Sequence, residues 1–378
     1  MNRLVSKDVA DRDVNAVRST PHRPGSNYTI PPCIMPPELT DRIVDFLYDD
    51  QAALQCCGLT CRSWLTSVRY HLYYAISLEN MRLSRAFASL LNRTPTLGWY
   101  VREMNLAMSE ELQHSDLLPS IAVNLGHVRR LALSGDIFQV DKAIFERFGP
   151  VQELALSLSS CKLSDVVVLF LAFPGISDLS IKNTRYLYGP ADHVPMLPVK
   201  RLEIQPALNP GLLPPSSPML ESLVLSIRRV EDLATLSHIL RTAKRQLKQL
   251  DLQMNIPVAE YQETSLFLDS LRRCPQSLVA IRLYTKSVRC LAVILDHVDP
   301  THLKDVTMDV SVGSMYGLKS LSGALAKAGF RNASRIGITL RCARLLIYCP
   351  RDEELARSLM ETALAEAHRR NALSVTIY

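Results

Sequence analysis

Eleven stretches between Val101 and Tyr378 repeat one arrangement of apolar and polar positions: an aliphatic residue, two variable ones, then two aliphatics separated by a single variable residue. The clear copies are Val101–Leu106, Val128–Leu133, Val151–Leu156, Ile176–Ile181, Val199–Ile204, Leu220–Leu225 and Leu247–Leu252. Weaker copies follow at Leu278–Leu283, Leu303–Met308, Ala333–Ile338 and Ala372–Ile377. The second half of each phrase alternates apolar and polar with period two, which predicts a half-buried strand. Leu131, Leu154, Leu202, Leu223 and Leu250 then point into a core. Phrase starts lie roughly 21 to 39 residues apart, mostly 23 to 31, about the length of one supersecondary unit. Such an array makes a binding surface, not a reaction centre.

Helical patterns fill the intervals. After a strand-like Tyr74 to Leu78, Asn80 is placed to cap a helix through Leu83, Phe87, Leu90 and Leu91 that ends at Thr94 and Pro95. Ser164 is expected to cap a helix to Phe173, and further helices are expected over Glu231 to Gln246, Glu260 to Cys274, Ser287 to Val298, Met315 to Ala328 and Asp352 to Arg370. Proline crowds out any helix between Tyr186 and Pro198 and between Pro206 and Pro218, so loops must close those units. Strand followed by helix in register predicts an α/β fold, a parallel sheet on one side and helices on the other. The period overlaps that of leucine-rich repeats. Residues 73–378 are therefore expected to form an irregular leucine-rich-repeat solenoid with the sheet on its concave face.

Ahead of the repeats the character differs. Residues 1–30 carry many charges and few aliphatics, which predicts a disordered tail. Residues 31–72 read as a three-helix bundle. Pro36 leads into apolar positions at helical spacing, Leu39, Ile43, Phe46 and Leu47. Asp49 and Asp50 supply a stop and a cap for a second helix through Ala53, Leu54 and Cys57, which Gly58 interrupts. Thr60 is placed to cap a third, with Trp64, Leu65 and Val68. A bundle this small is marginal alone and needs a partner or the adjoining domain to cover its apolar surface.

Composition, 47% hydrophobic and 21% charged, is that of a folded soluble protein. The longest apolar run, Val166 to Phe173, is far short of the roughly 20 residues of a membrane helix. The first residues offer no apolar stretch for a secretion signal, so the protein is expected in the cytoplasm, the nucleus or both. Nine irregularly spaced cysteines suggest buried thiols, not a disulfide framework. Cys56, Cys57, Cys61 and His71 match no metal-ligand spacing, and no phosphate loop, nucleophile elbow or dinucleotide fingerprint occurs, so neither catalysis nor a cofactor is expected. A net charge of +6 is spread along the chain, which makes nucleic acid an improbable partner.

From Met35-Pro36-Pro37-Glu38-Leu39 through Asp49-Asp50 to Cys61-Arg62-Ser63-Trp64-Leu65 the chain resembles an F-box, the adaptor-binding module of cullin-type ubiquitin ligases. Met35 stands where that family has leucine, a volume-conserving change. With the repeats that follow, the chain is similar to the large fungal groups of F-box proteins with irregular leucine-rich tails. The resemblance implies docking of a Skp-type adaptor, and through it a cullin ligase, by Met35, Pro36, Leu39, Ile43, Leu47, Leu54 and Trp64. It also implies a substrate receptor of an SCF-type ligase, with an unknown protein target on the repeats.

Strand alternation selects the surface for that target. With Leu131 and Leu133 inward, Arg130 and Ala132 face outward, and stacking gathers Glu103, Asn105, Arg130, Glu153, Asp178, Arg201, Glu203, Gln249, Asp251, Arg282 and Asp305 on one face. Signs alternate along it, which suits a protein segment of mixed polarity. Targets binding instead on loops, with Tyr186, Tyr188 and His193 as candidates, is a second expectation. The rivals are a binding scaffold without a ligase role and, on the sequence pI of 8.8 alone, a nucleic-acid-binding protein.

Overall fold

The computed structural model describes residues 36–137, 140–182, 186–188, 197–205, 219–229, 231–243, 246–255, 271, 277–295, 297–298, 302–312, 321, 325, 333–342, 354, 357–358, 362 and 373–377. Met35, the 1–30 tail and the helices expected over 260–274 and 315–328 lie outside these residues, apart from single positions. Of the helix expected over 352–370, Glu354, Arg357, Ser358 and Thr362 are described and helical.

Three helices open the described chain: α1 Pro37–Phe46, α2 Gln51–Thr60 and α3 Leu65–Tyr74. Asp50 caps α2, its carboxylate accepting from the Ala53 N–H at 3.0 Å. Gly58 does not interrupt that helix. It lets α2 approach α3, since a Cβ there would lie 3.1 Å from Val68 Cγ1. Nor does Thr60 cap α3. Its hydroxyl donates back to the Cys56 carbonyl, and a 3-10 turn, Arg62–Trp64, leads into the helix. Val44, Leu54 and Val68 form the bundle's small core.

At Ala75 the chain passes without a linker from α3 into β1, Ala75–Leu78, and the sheet begins. The helical segment therefore runs to Tyr74, two residues beyond the expected boundary. All eleven phrases are strands: β2 Glu103–Met108, β3 Arg130–Ile137, β4 Glu153–Lys162, β5 Asp178–Lys182, β7 Arg201–Ile204, β8 Ser222–Ile227, β9 Gln249–Met254, β10 Ala280–Thr285, β11 Asp305–Val312, β12 Arg335–Cys342 and β13 Leu373–Ile377. Each pairs with its sequence neighbours in parallel, so spatial order follows chain order. The exception is β6, Tyr186–Tyr188, in the excursion expected to be a loop; it pairs with Ser160, Cys161 and Lys162 at the far end of β4.

The register matches phrase to phrase, with Leu131 beside Met104 and Leu154, and Leu223 beside Leu202 and Leu250. The last phrase slips by two residues, so that Ile338 lies beside Val375. A slip of two preserves the alternation of faces.

Helices α4 Met81–Arg93, α5 Glu110–Gln113, α6 Leu117–Ala122, α7 Lys142–Phe145, α8 Leu163–Ala172, α9 Glu231–Thr242 and α10 Val288–Leu295 join the strands. Asn80 caps α4 as expected, accepting from the Leu83 N–H. Lys162, not Ser164, occupies the N-cap of α8. Leu91, Ile121, Phe170, Leu236 and Leu291 of these helices join the first, fourth and sixth residues of the first ten phrases in one continuous core. Two glycines allow the tight crossings between units. Gly149 has φ +86, and a Cβ there would sit 2.2 Å from the Gly126 carbonyl oxygen; Gly135, φ +101, would press on Met108 in the same way.

Leu223 is fully buried, so Leu223→Asp places an unpaired carboxylate in the core, at a cost of several kcal/mol. Loss of soluble protein is expected, and a variant that melts like the parent contradicts the register. Gly149→Ala strains a left-handed backbone against an immovable carbonyl. It is expected to lower Tm by about 1–2 °C per kcal/mol of strain, as read by calorimetry.

Candidate protein-interaction surfaces

Two surfaces emerge, the outer side of the bundle and the face of the sheet opposite the helices. On α1, Thr40 and Val44 turn inward. Asp41 accepts a hydrogen bond from Ser67, and Asp45 binds His71 Nε2 at 2.8 Å, so two pairs one helical turn apart lock α1 against α3. Locked this way, α1 turns Leu39, Ile43 and Phe46 outward, 49%, 39% and 82% exposed. These positions are spaced i, i+4, i+7, one continuous stripe. Leu59 and Tyr48 add further exposed apolar surface.

The residues expected to dock an adaptor divide accordingly. Pro36 is exposed ahead of α1, its carbonyl accepting from Leu39 and Thr40. Leu39 and Ile43 are on the stripe. Leu47 and Trp64 are half-buried against the bundle core. Leu54 is corrected: it is fully buried between Val44 and Val68 and presents nothing to a partner. Phe46 and Leu59, absent from the expected set, are more exposed than Leu39 and Ile43. Helical spacing from Leu39 was the signal for Phe46.

On the sheet, the register brings every residue expected on the outer face into two rows. One runs Glu103, Arg130, Glu153, Asp178, Arg201, then Gln249 and Asp305; the other holds Asn105, Glu203, Asp251 and Arg282. Between β2 and β7 these rows border a trough of about 450 Å³, floored by small residues such as Ala132, Ala155, Ser157 and Ser180. Opposite charges meet across strands: Arg130 with Glu103 at 3.5 Å and Glu153 at 3.7 Å, Lys182 with Glu203 at 2.8 Å, and Arg282 with Asp251 at 3.7 Å. Ser180 donates to Glu203 at 3.0 Å. Ser180 and Lys182 were not in the expected set; both occupy outward positions of β5. Exposed pairs of this kind stabilise a fold by less than about 1 kcal/mol, so a ligand exchanges them for its own contacts at small cost.

Asp251 differs from the others. Burial raises its carboxyl above the usual range, opposed by the Gln249 amide and by the Arg282 and Arg201 guanidiniums. Two thiols also stand apart: burial pushes Cys161 up to about 12, while a hydrogen bond from Ser63 holds the exposed Cys61 below the ordinary thiol range. His193 lies outside the described residues.

No protein-family model matches the chain, and no curated protein matches it either. Among solved structures, the leucine-rich repeat-containing protein LegL7 from Legionella pneumophila is similar at 16% identity, over 76% of this chain and 90% of that one, with a TM-score of 0.39. A likeness that loose carries no weight; the repeat architecture rests on the strand order and register above.

The raised Asp251 carboxyl sets a pH test. The folded state holds a proton there more tightly than the unfolded chain does. That contribution to stability is complete below the ordinary aspartate range and is lost as pH rises through the raised value. Asp251→Asn, neutral throughout and still able to accept from Gln249, is expected to melt above the parent at pH 7. The advantage should vanish below about pH 4. Melting curves at both pH values check it, and a parent that melts higher at pH 7 contradicts it.

Proposed function

We propose that this protein is the substrate-recognition subunit of an SCF-type E3 ubiquitin ligase, with the bundle docking a Skp-type adaptor and the repeat sheet holding a target protein. One observation carries the reading: the stripe Leu39, Ile43 and Phe46 is uncovered although α1 is fixed firmly against α3. An exposed apolar helix face beside a folded bundle fits helices of a second protein. It coincides with the stretch that resembles an F-box. The repeat face supports the other half, offering a long polar surface whose charges are paired across strands. No catalysis is assigned to this chain. Its contribution is proximity, since a target held beside a carrier of activated ubiquitin is presented at high effective concentration. Such an assembly works inside the cell, in the cytoplasm or the nucleus.

Co-precipitation with a Skp-type adaptor tests the reading. Leu39→Ala/Ile43→Ala removes two anchors worth about 2 kcal/mol each, and capture is expected to fall roughly a thousandfold in affinity. Tm should change little, because both side chains are partly exposed in the free protein. Full adaptor capture by the folded double variant would leave a repeat scaffold without a ligase role.

A further inference from the structure

The residue that precedes each strand forms a file of its own along the N-terminal rim of the sheet. Backbone hydrogen bonds fix it: the Arg129 N–H donates to the Arg102 carbonyl at 2.8 Å, and the ladder continues through Gln152, Ser177, Lys200, Glu221, Lys248, Val279 and Lys304 to Ser334 with every bond between 2.7 and 2.9 Å. Side chains in this file are therefore one strand spacing apart, about 4.8 Å. They are Arg102, Arg129, Lys200, Lys248 and Lys304 against a single acid, Glu221. Arg129, Lys200, Lys248 and Lys304 are exposed, Lys248 at 61% of its side chain, while Arg102 and Glu221 are half-buried. The outer face one residue further on has alternating charge; on this rim five basic residues stand against one acid, which Lys248 already pairs.

We infer that the N-terminal rim is a docking line for an acidic, extended polypeptide segment laid across the strands. The inference goes beyond the ligase reading and holds whether or not the bundle binds an adaptor. Glu221, the one carboxylate already on the line, reports how the rim treats an acid. It takes a 2.8 Å bond from Lys248, and Lys248 first, then Lys200, hold its carboxyl below the usual range. Spacing defines the ligand further. Lys200 to Lys248 and Lys248 to Lys304 are each two strands apart, about 10 Å, which an extended chain covers in about three residues. In an extended polyproline-II segment, with three residues per turn and about 3.1 Å rise per residue, acidic side chains at every third position share one side and would meet successive lysines.

One residue inward the row carries both signs, Arg130 and Arg201 among Glu103, Glu153, Asp178 and Asp305, so the predominantly basic strip is one residue wide and fits a single chain with separated charges.

Fluorescence anisotropy on the full chain tests this with a labelled peptide carrying glutamate at every third position among serine and alanine. A glutamine counterpart and an oligothymidylate of equal formal charge serve as comparators. The glutamate peptide is expected to bind and the glutamine peptide not. Lys200→Glu/Lys304→Glu should weaken binding by about tenfold or more, whereas Lys286→Glu, exposed at the opposite end of β10, leaves it unchanged. If the reversals alter Tm, Lys200→Gln/Lys304→Gln repeats the measurement. Equal binding of the two peptides, equal loss with Lys286→Glu, or tighter binding of oligothymidylate overturns the inference. Adaptor capture measured on the same variants is expected to stay intact, so failure at the rim is distinguishable from failure of the ligase reading.

Discussion

Neighbouring parallel strands can exchange evenly spaced hydrogen bonds only if their phrases begin at the same height, because a shift of one residue would turn every leucine to solvent. That requirement governs this molecule from β1 to β13. It places Leu131, Leu154 and Leu223 in one buried row while forcing the residues between them outward into another. A polar face therefore arises as a by-product of burying an apolar one. Intervals can vary in length and content, since only the phrase must match; helices close some units, and the excursion after β5 contributes β6 instead.

The small bundle obeys a different rule. Its three-residue core is too small to use all the apolar surface its helices carry, so α1 is held by two polar pairs while its stripe stays bare. The stripe is the conspicuous place where sequence and burial disagree. Along the sheet, in contrast, nearly every apolar phrase residue is covered, and information for a partner must be written in charge.

Periodicity made the repeats legible because each phrase carries its own two-residue alternation, independent of what lies between. Asn80 and Asp50 were legible as caps for the same local reason. What was not legible depended on contacts distant in the chain. Gly58 read as a breaker, yet it serves the approach of α3. Leu54 read as a docking residue because its motif position names no direction, and only the packing of Val44 and Val68 shows that it faces inward. β6 escaped notice because its partner is the overlong end of β4, and Pro and Gly nearby signal a loop. The basic rim was invisible for a related reason: its basic members are some 27 to 71 residues apart and come onto one line only once the strands pair.

The junction at Tyr74 and Ala75 has a mechanical meaning. With no spacer between α3 and β1, and with Tyr73 packed on the solenoid core, the two parts behave as a bracket and not as beads on a string. Anything seated on α1 and anything seated on the sheet are thereby held at one distance and one angle. Under the proposed ligase reading, selection among cargoes then depends on reach as well as on affinity, because a cargo whose reactive group points the wrong way cannot be brought round by a swinging tether.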